Sequence, residues 1–394
     1  MSDPAAFRAD TRAWLETNCP PAMRTPMPEE ERVWGGRRGV FRHPDSRAWF
    51  DRMVARGWTV PTWPKAYGGG GLSHAEAEIL KEEMDRLQCR VPLFGFGISM
   101  LGPVLLKYGT EAQKVEHLTK IARGEIRWCQ GYSEPNAGSD LANLQTRAED
   151  AGDHFVVTGQ KIWTSYAHHS DWIFCLVRTD TRRKQGGISF LLFDMASPGV
   201  ETRPITLISG ASVFCETFFD QVRVPKENLV GTLNDGWTIA KELLQHERGM
   251  ISQIGRAIGG AVPSVDEIAR RYLGDADGRI TDPVLRDAVA RHVMSDRAFE
   301  LTIRRANEES AAGTASGGAS SMFKFYGTEQ NKRKFELILK CAGTQALGWD
   351  GDAFTPEERL ICRTWLRSKG NSIEGGTSEI QLNVIAKRVL GLPD

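Results

Sequence analysis

The chain has 394 residues, 41% hydrophobic and 25% charged, with 50 basic side chains against 50 acidic ones. Zero net charge gives no field to draw in a polyanion, so neither a nucleic acid nor an anionic membrane surface is expected as a partner. No apolar run approaches the ~18 residues of a membrane span, and residues 1–10 lack the basic-then-apolar order of a signal peptide, so a cytoplasmic protein is expected.

The length predicts two or three domains, since single cores stop growing at smaller sizes. The cysteines at 19, 89, 129, 175, 215, 341 and 362 are scattered, form no C-x-x-C and are odd in number, which favours reduced thiols over a disulfide framework. The histidines form no H-E-x-x-H, and no metal site is expected.

In chain order, residues 1–124 read as helices, with Ser73 and Glu76 forming a capping box ahead of Leu80, Met84 and Leu87. Between 125 and 232 the texture becomes β-branched and aromatic runs, Phe155 to Thr158, Trp172 to Val177, Ile188 to Phe193 and Val213 to Phe219, separated by turn signals. This is the pattern of a compact β domain. After Asn234-Asp235-Gly236 the helical period returns and holds to Leu390, broken by a small-residue connection at 309–321 (ESAAGTASGGASS). Regular strand–helix alternation, a G-x-G-x-x-G after a strand and a P-loop are all absent, and the glycines 68–71 read as a loop.

Four segments carry chemistry. On the helix from Trp237, residues Trp237, Ala240, Leu244, Ile251 and Ile254 form an apolar stripe, and Glu247 falls in its gap. A carboxylate there is either a desolvated base or a structural group paired with an arginine; Arg248 lies about 100° around the helix and is no automatic partner. The segment 128–140 (WCQGYSEPNAGSD) contains a Pro135, Asn136 and Gly138 loop, either a cradle of backbone N–H groups or a plain surface loop. Lys161 to Ser165 (KIWTS) puts an indole beside two hydroxyls, suiting a flavin ring or simply a core. At 372–381 (SIEGGTSEIQ) two glycines lead into a helix with a Ser378 and Gln381 capping box, which either holds an anion or is a plain capped turn.

These segments together with 57–69 (GWTVPTWPKAYGG) and 108–114 (YGTEAQK) resemble the acyl-CoA dehydrogenase family over essentially the whole chain, above all its large bacterial subgroup. The resemblance implies a mainly α fold: a helical domain (1–124), a middle β-barrel domain (125–232) and a C-terminal four-helix bundle (233–394), with FAD held between them. It implies that Gln130, Tyr132, Ser133, Gly138 and Ser139 cradle the flavin, and that Trp163, Thr164 and Ser165 form its second wall. Gly343, Gly376, Thr377 and Glu379 also reach the cofactor, and Ser139, Gln245 and Arg248 the acyl-CoA.

In many family members the base lies directly before Gly-Thr-Ser, where this chain has Gly375, with Glu374 one residue too early. Long-chain and isovaleryl members place it before an arginine in the helix after the β domain, as in Glu247-Arg248. The implied reaction is removal of the α-proton by Glu247 with transfer of the β-hydrogen to FAD, giving a trans-2-enoyl-CoA. The N–H of Gly375 serves the enolate oxygen, an electron transfer flavoprotein is the acceptor, and a homodimer or homotetramer is the assembly. The usual Arg-x-x-Phe-Gly segment for the adenosine is represented only by 270–274 (RRYLG). An acyl-CoA oxidase or desulfinase on the same scaffold, and a non-catalytic subunit of a heteromeric dehydrogenase, are the alternatives.

Overall fold

The computed structural model describes residues 3–252, 262–314 and 319–393, without the side chains of 245–252, 310 and 311. It forms two compact units, Met1–Ile205 with Val213–Leu243, and Thr206–Ser212 with Leu244–Asp394.

The first unit opens with helices α1 (Pro4–Asn18), α2 (Pro44–Ala55) and α3 (His74–Arg86). Asp3 caps α1, and the expected Ser73–Glu76 capping box starts α3. Leu15, Trp49, Met53 and Leu80 are at most 2% exposed and form the core between them. Beside that core α1 and α3 share one buried carboxylate: Glu83 accepts from Arg8, Arg12 and Arg86 at 2.8–3.1 Å. These hydrogen bonds, led by Arg12 and opposed by burial, hold its carboxyl well below the usual range, at about 2. The glycines 68–71 are a loop: Gly68 is left-handed at φ 85°, and a Cβ on Gly69 would meet the Trp63 carbonyl at 2.1 Å. A π-helical turn over Gly97–Leu101 leads into α4 (Gly102–Tyr108), followed by the short helices α5 (Glu111–Gln113) and α6 (Thr119–Ala122).

The sheet of the first unit contains β1 (Trp128–Gly131), β2 (Arg147–Asp150), β3 (His154–Ser165), β4 (Trp172–Arg178), β5 (Ile188–Asp194), β6 (Val200–Ile205), β7 (Phe214–Pro225) and β8 (Leu229–Val230). Its order is β6-β7-β3-β2-β4-β5-β8, with β1 parallel to β4. The expected β-barrel is therefore corrected to an open sheet: β6 and β8 end the order and do not pair. β8 has two residues, and β6 carries Pro204, which lacks an N–H, so neither edge offers a ladder long enough to close. β4 and β5 are nearly continuous apolar runs because they are buried on both faces.

Helix α7 (Gly236–Ser252) follows Asn234 at φ 70°. Its buried residues before the undescribed side chains are Gly236, Ile239, Ala240 and Leu243, so the stripe lies one position from the expected Trp237–Ala240–Leu244 line, and Trp237 and Leu244 are only half-buried. Lys107 and the Tyr108 hydroxyl both reach Glu242 at 2.6 Å and tie α4 to α7.

The second unit contains α8 (Val265–Leu273), α9 (Pro283–Ala311), α10 (Ala319–Ala342), α11 (Pro356–Ser368) and α12 (Ser378–Val384). α10 packs against each of the other four, around Ile268, Phe335, Ile338, Ala346 and Ile361. Two details differ from the sequence reading. A hairpin, β9 (Asp275–Ala276) and β10 (Arg279–Ile280), interrupts the helical run, and helix occupies both ends of the expected 309–321 connection, whose residues 315–318 lie outside the described residues.

Replacing Glu83 by Gln removes charge-assisted hydrogen bonds worth about 2 kcal/mol. Because the folded carboxyl lies near 2, below its ordinary 4.5, its contribution is complete above that range and is lost as pH falls toward 2. Urea unfolding of both proteins across pH should show a constant gap at neutral pH that closes under acid. A gap independent of pH contradicts this assignment.

Candidate active site

The segment after β1 is a tight hairpin. Glu134 and Ala137 exchange both backbone hydrogen bonds at 3.0 Å, so Pro135 and Asn136 form its tip. What fixes the hairpin lies beneath it. Lys161 in β3, completely buried, donates to the Glu134 carboxylate at 2.8 Å and to the Tyr132 carbonyl at 3.1 Å. Glu134, 7% exposed, also accepts from the amides of Gln145 (2.6 Å) and Thr146 (2.9 Å). Burial pushes the Glu134 carboxyl up, but the Lys161 charge and these donors outweigh it, and the group lies below its usual range. The Ile162 amide donates to the Ser133 carbonyl at 2.9 Å, joining this segment directly to the end of β3.

That end of β3 is bulged. Its register against β7 slips between Lys161 and Thr164, and Trp163 takes up the slip at φ 60°, leaving its indole 52% exposed. Thr164 turns inward and is fully buried, its hydroxyl without a partner among the described residues. Ser165 is half-buried. Among the described residues the hydroxyls of Ser133, Ser139 and Ser165 make no hydrogen bond, and Gly138 and Ser139 are exposed. Gln130 is half-buried in β1, and Tyr132 is buried just beyond it.

In the second unit the 375–376 turn is built from two left-handed glycines, Gly375 at φ 66° and Gly376 at φ 92°. Gln381 donates its amide back to both carbonyls, at 3.0 and 3.4 Å, so the glycine N–H groups are the unspent side of the turn. The expected Ser378–Gln381 capping box is absent. Thr377 is the cap, accepting from Ile380, while Ser378 donates to Glu329 and Ser372. Gln381 is drawn away because the glycine carbonyls, turned inward by positive φ, need a donor. Glu374 is spoken for: Arg367 donates to it at 2.8 Å and Asn371 also donates to it. Glu379 is exposed on the first turn of α12, and Gly343 is exposed at φ 58° just after α10. Arg270 is committed to Asp266, Asp275 and the Gly278 carbonyl.

Gln245, Glu247 and Arg248 fall on α7, and their side chains lie outside the described residues. In the sequence Lys161 stands out only as the first residue of its motif. The signal for its role was strand alternation, since Lys161 is in phase with the inward-facing Phe155 and Val157. In the first unit the residues present fit one side of a planar heteroaromatic group with a polar rim: an exposed indole face and three serine hydroxyls without a partner among the described residues.

Models of the acyl-CoA dehydrogenase N-terminal, middle and C-terminal domains match residues 2–125, 129–222 and 234–390. The chain belongs to the acyl-CoA dehydrogenase family, flavoprotein oxidoreductases acting on CH–CH bonds. It is 36% identical to acyl-CoA dehydrogenase IpdE1 of Mycobacterium tuberculosis, over 100% of this chain and 99% of that one. It is 33% identical to acyl-CoA dehydrogenase FadE29 of the same organism, over 98% and 96%. Among solved structures, the Tcur3481-Tcur3483 steroid ACAD is 30% identical with a TM-score of 0.78, covering 100% of this chain and 99% of that one. The ChsE4-ChsE5 complex of Mycobacterium tuberculosis is likewise 30% identical, with a TM-score of 0.76 and coverage of 100% and 98%.

Lys161→Met leaves the buried Glu134 carboxylate without its cation and should cost about 3–5 kcal/mol, measured by urea unfolding. The double variant Lys161→Met, Glu134→Gln should recover part of that loss, because no uncompensated charge remains. Equal stability of the single variant and the parent would show that the pair does not hold the hairpin.

Proposed function

We propose that the protein dehydrogenates an acyl-CoA thioester between Cα and Cβ, giving a trans-2-enoyl-CoA, with FAD as its cofactor and Glu247 as the base. FAD, when bound, supplies the acceptor for the β-hydrogen and its bonding electrons. The residues proposed to hold it are Gln130, Tyr132, Ser133, Gly138, Ser139, Trp163, Thr164, Ser165, Gly343, Gly376, Thr377 and Glu379.

The observation that carries this reading is the turn at 375–376. The carboxylate nearest the family's usual base position, Glu374, is held by Arg367 and Asn371, while the Gly375 amide is uncommitted. A thioester α-C–H is far too weak an acid for a carboxylate unless its carbonyl oxygen meets preorganised donors, worth several kcal/mol as charge develops there. A backbone N–H supplies that donor whatever the side chain, so the base is free to reside elsewhere. Glu247, in the gap of an apolar stripe and followed by Arg248, has the setting to accept the proton. Ser139, Gln245 and Arg248 would contact the bound acyl-CoA.

The same proposal includes three functional domains at 1–124, 125–232 and 233–394, a four-helix C-terminal bundle, an electron transfer flavoprotein as acceptor and a homodimer or homotetramer. It also includes a cytoplasmic place in lipid breakdown; no described helix is long and apolar enough to cross a membrane. A second reading, a subunit that depends on a different partner chain to complete its cofactor site, is favoured by Arg270, whose guanidinium is spent on Asp266 and Asp275.

The protein purified alone should be yellow with non-covalent FAD; colourless protein that gains flavin only with a second chain would favour the subunit reading. Glu247→Gln should keep FAD but slow flavin reduction by saturating acyl-CoA by about 10² to 10⁴-fold. The substrate panel for this stopped-flow test should include straight, branched and steroidal thioesters. Reduction of the variant at the parent rate would make Glu247 a structural carboxylate.

A further inference from the structure

Most arginines of the first unit that leave water spend their donors on oxygen. Arg178 places its guanidinium on the carbonyls of Ala142, Leu144, Arg183 and Lys184, and Arg90 donates to the Glu31 carboxylate, the Thr25 hydroxyl and the Pro26 carbonyl. Arg127, immediately before β1, does not. It is half-buried, and its guanidinium carbon lies 4.6 Å from the ring centre of Trp34 and 5.0 Å from that of Tyr166. The two ring centres are 4.8 Å apart, so the three groups form a nearly equilateral triangle, with the cation resting over the cleft between the rings. Among the described residues none of its side-chain N–H groups donates to an oxygen. The Asp171 carboxylate nearby accepts at one oxygen, Oδ2, from the backbone amides of Arg127 (2.8 Å) and Arg37 (3.0 Å) and acts on the guanidinium through its charge. Cation–π attraction holds the guanidinium in place but supplies no acceptor for its donors.

Tyr166 sits at φ 54°, an outlier for a bulky aromatic residue, with its amide on the Val213 carbonyl and its ring against Trp34 and Arg127. Tyr166 directly follows Ser165, and Arg127 opens the strand that leads to Tyr132 and Ser133. The strained Tyr166 and the cation of Arg127 therefore lie beside the end of β3 that carries Ser165, whereas Ser133 follows the opposite end of β1 from Arg127. The surroundings are basic as well. Arg38 donates to the His168 carbonyl at 3.2 Å, and the His168 and His169 rings are 3.9 Å apart. Burial first, and then neighbouring cations including Arg127, hold both imidazoles below their usual pKa.

We propose that Arg127, seated on Trp34 and Tyr166, is a binding subsite for a carboxylate carried by the acyl group of the substrate, away from the thioester. The ring contacts leave the guanidinium N–H groups without an acceptor among the described residues, and a planar two-oxygen anion meets such a fork with paired hydrogen bonds. The subsite rests on the proposed acyl-CoA dehydrogenation and names the class of its substrate: an acyl-CoA ending in an acid.

The test uses the FAD-loaded enzyme and two thioesters of matched chain length, hexanoyl-CoA and adipoyl-CoA, which differ in a terminal methyl against a terminal carboxylate. The parent should prefer adipoyl-CoA in kcat/KM for flavin reduction, and Arg127→Met should lower that value by about 10- to 100-fold while changing hexanoyl-CoA by less than about 3-fold. Arg127→Lys, which keeps the charge on the rings but loses the fork, should retain an intermediate preference and decides the matter if the Met variant fails to fold. Equal losses for both thioesters would mean that Arg127 meets a phosphate of CoA or serves the fold, and either overturns the proposal, as does a parent that prefers the methyl end. Binding is read separately from chemistry through quenching of tryptophan fluorescence. If no thioester reduces the flavin, the dehydrogenation reading fails, and the subsite is then judged by binding: equal binding of adipoyl-CoA by parent and Arg127→Met overturns it.

Discussion

The ion pair between Lys161 and Glu134 is the constraint on which the sheet end of this protein depends. Both groups are withdrawn from water, and such a pair is tolerated only when its remaining hydrogen-bond capacity is filled. Here it is filled by the Tyr132 carbonyl on one side and the Gln145 and Thr146 amides on the other. The pair is better understood as a specifier than as a source of net stability. Any other position of the 133–139 hairpin would leave a buried charge without its partner, so a loop of small polar residues is held as firmly as a strand.

Strain is concentrated where that hairpin meets β3. Trp163 and Tyr166 both occupy the left-handed region, each at a cost of about 1–3 kcal/mol, and they flank Thr164 and Ser165. The cost is offset by the buried β4–β5 core beside them and by the Trp34–Arg127 stack. Without the bulge, strict alternation would place the Trp163 side chain opposite its present direction relative to Lys161 and the ladder would run on unbroken. The bulge turns a strand end into a surface that presents an indole and a hydroxyl together.

The second unit solves a different problem with backbone alone. Two glycines in positive φ point their carbonyls at Gln381 and leave their amides unspent, and Glu374, a residue that could have been a base, becomes a strut to Arg367 and Asn371. The backbone N–H groups of this turn, without an acceptor among the described residues, are there whatever the side chain at 375.

Much of this was legible in the sequence because it is local. Helix starts such as Ser73–Glu76, the β texture after residue 125 and the glycine loop at 68–71 depend on side chains within a few residues, and the motifs in their order carried the family. Sheet closure was not legible, because it depends on whether two edges distant in the chain meet. The Ser378–Gln381 box failed for the same reason: a glutamine chooses among all carbonyls within reach, and the inward-turned carbonyls of Gly375 and Gly376 outcompete the local cap. The sequence by itself determined which segments are helix, strand and turn, and which family they compose. Only the tertiary structure decided that Lys161 is buried on Glu134, that Glu374 is occupied and that Arg127 is not, because the partners of a charged side chain are set by what folding brings beside it and not by its neighbours in the chain.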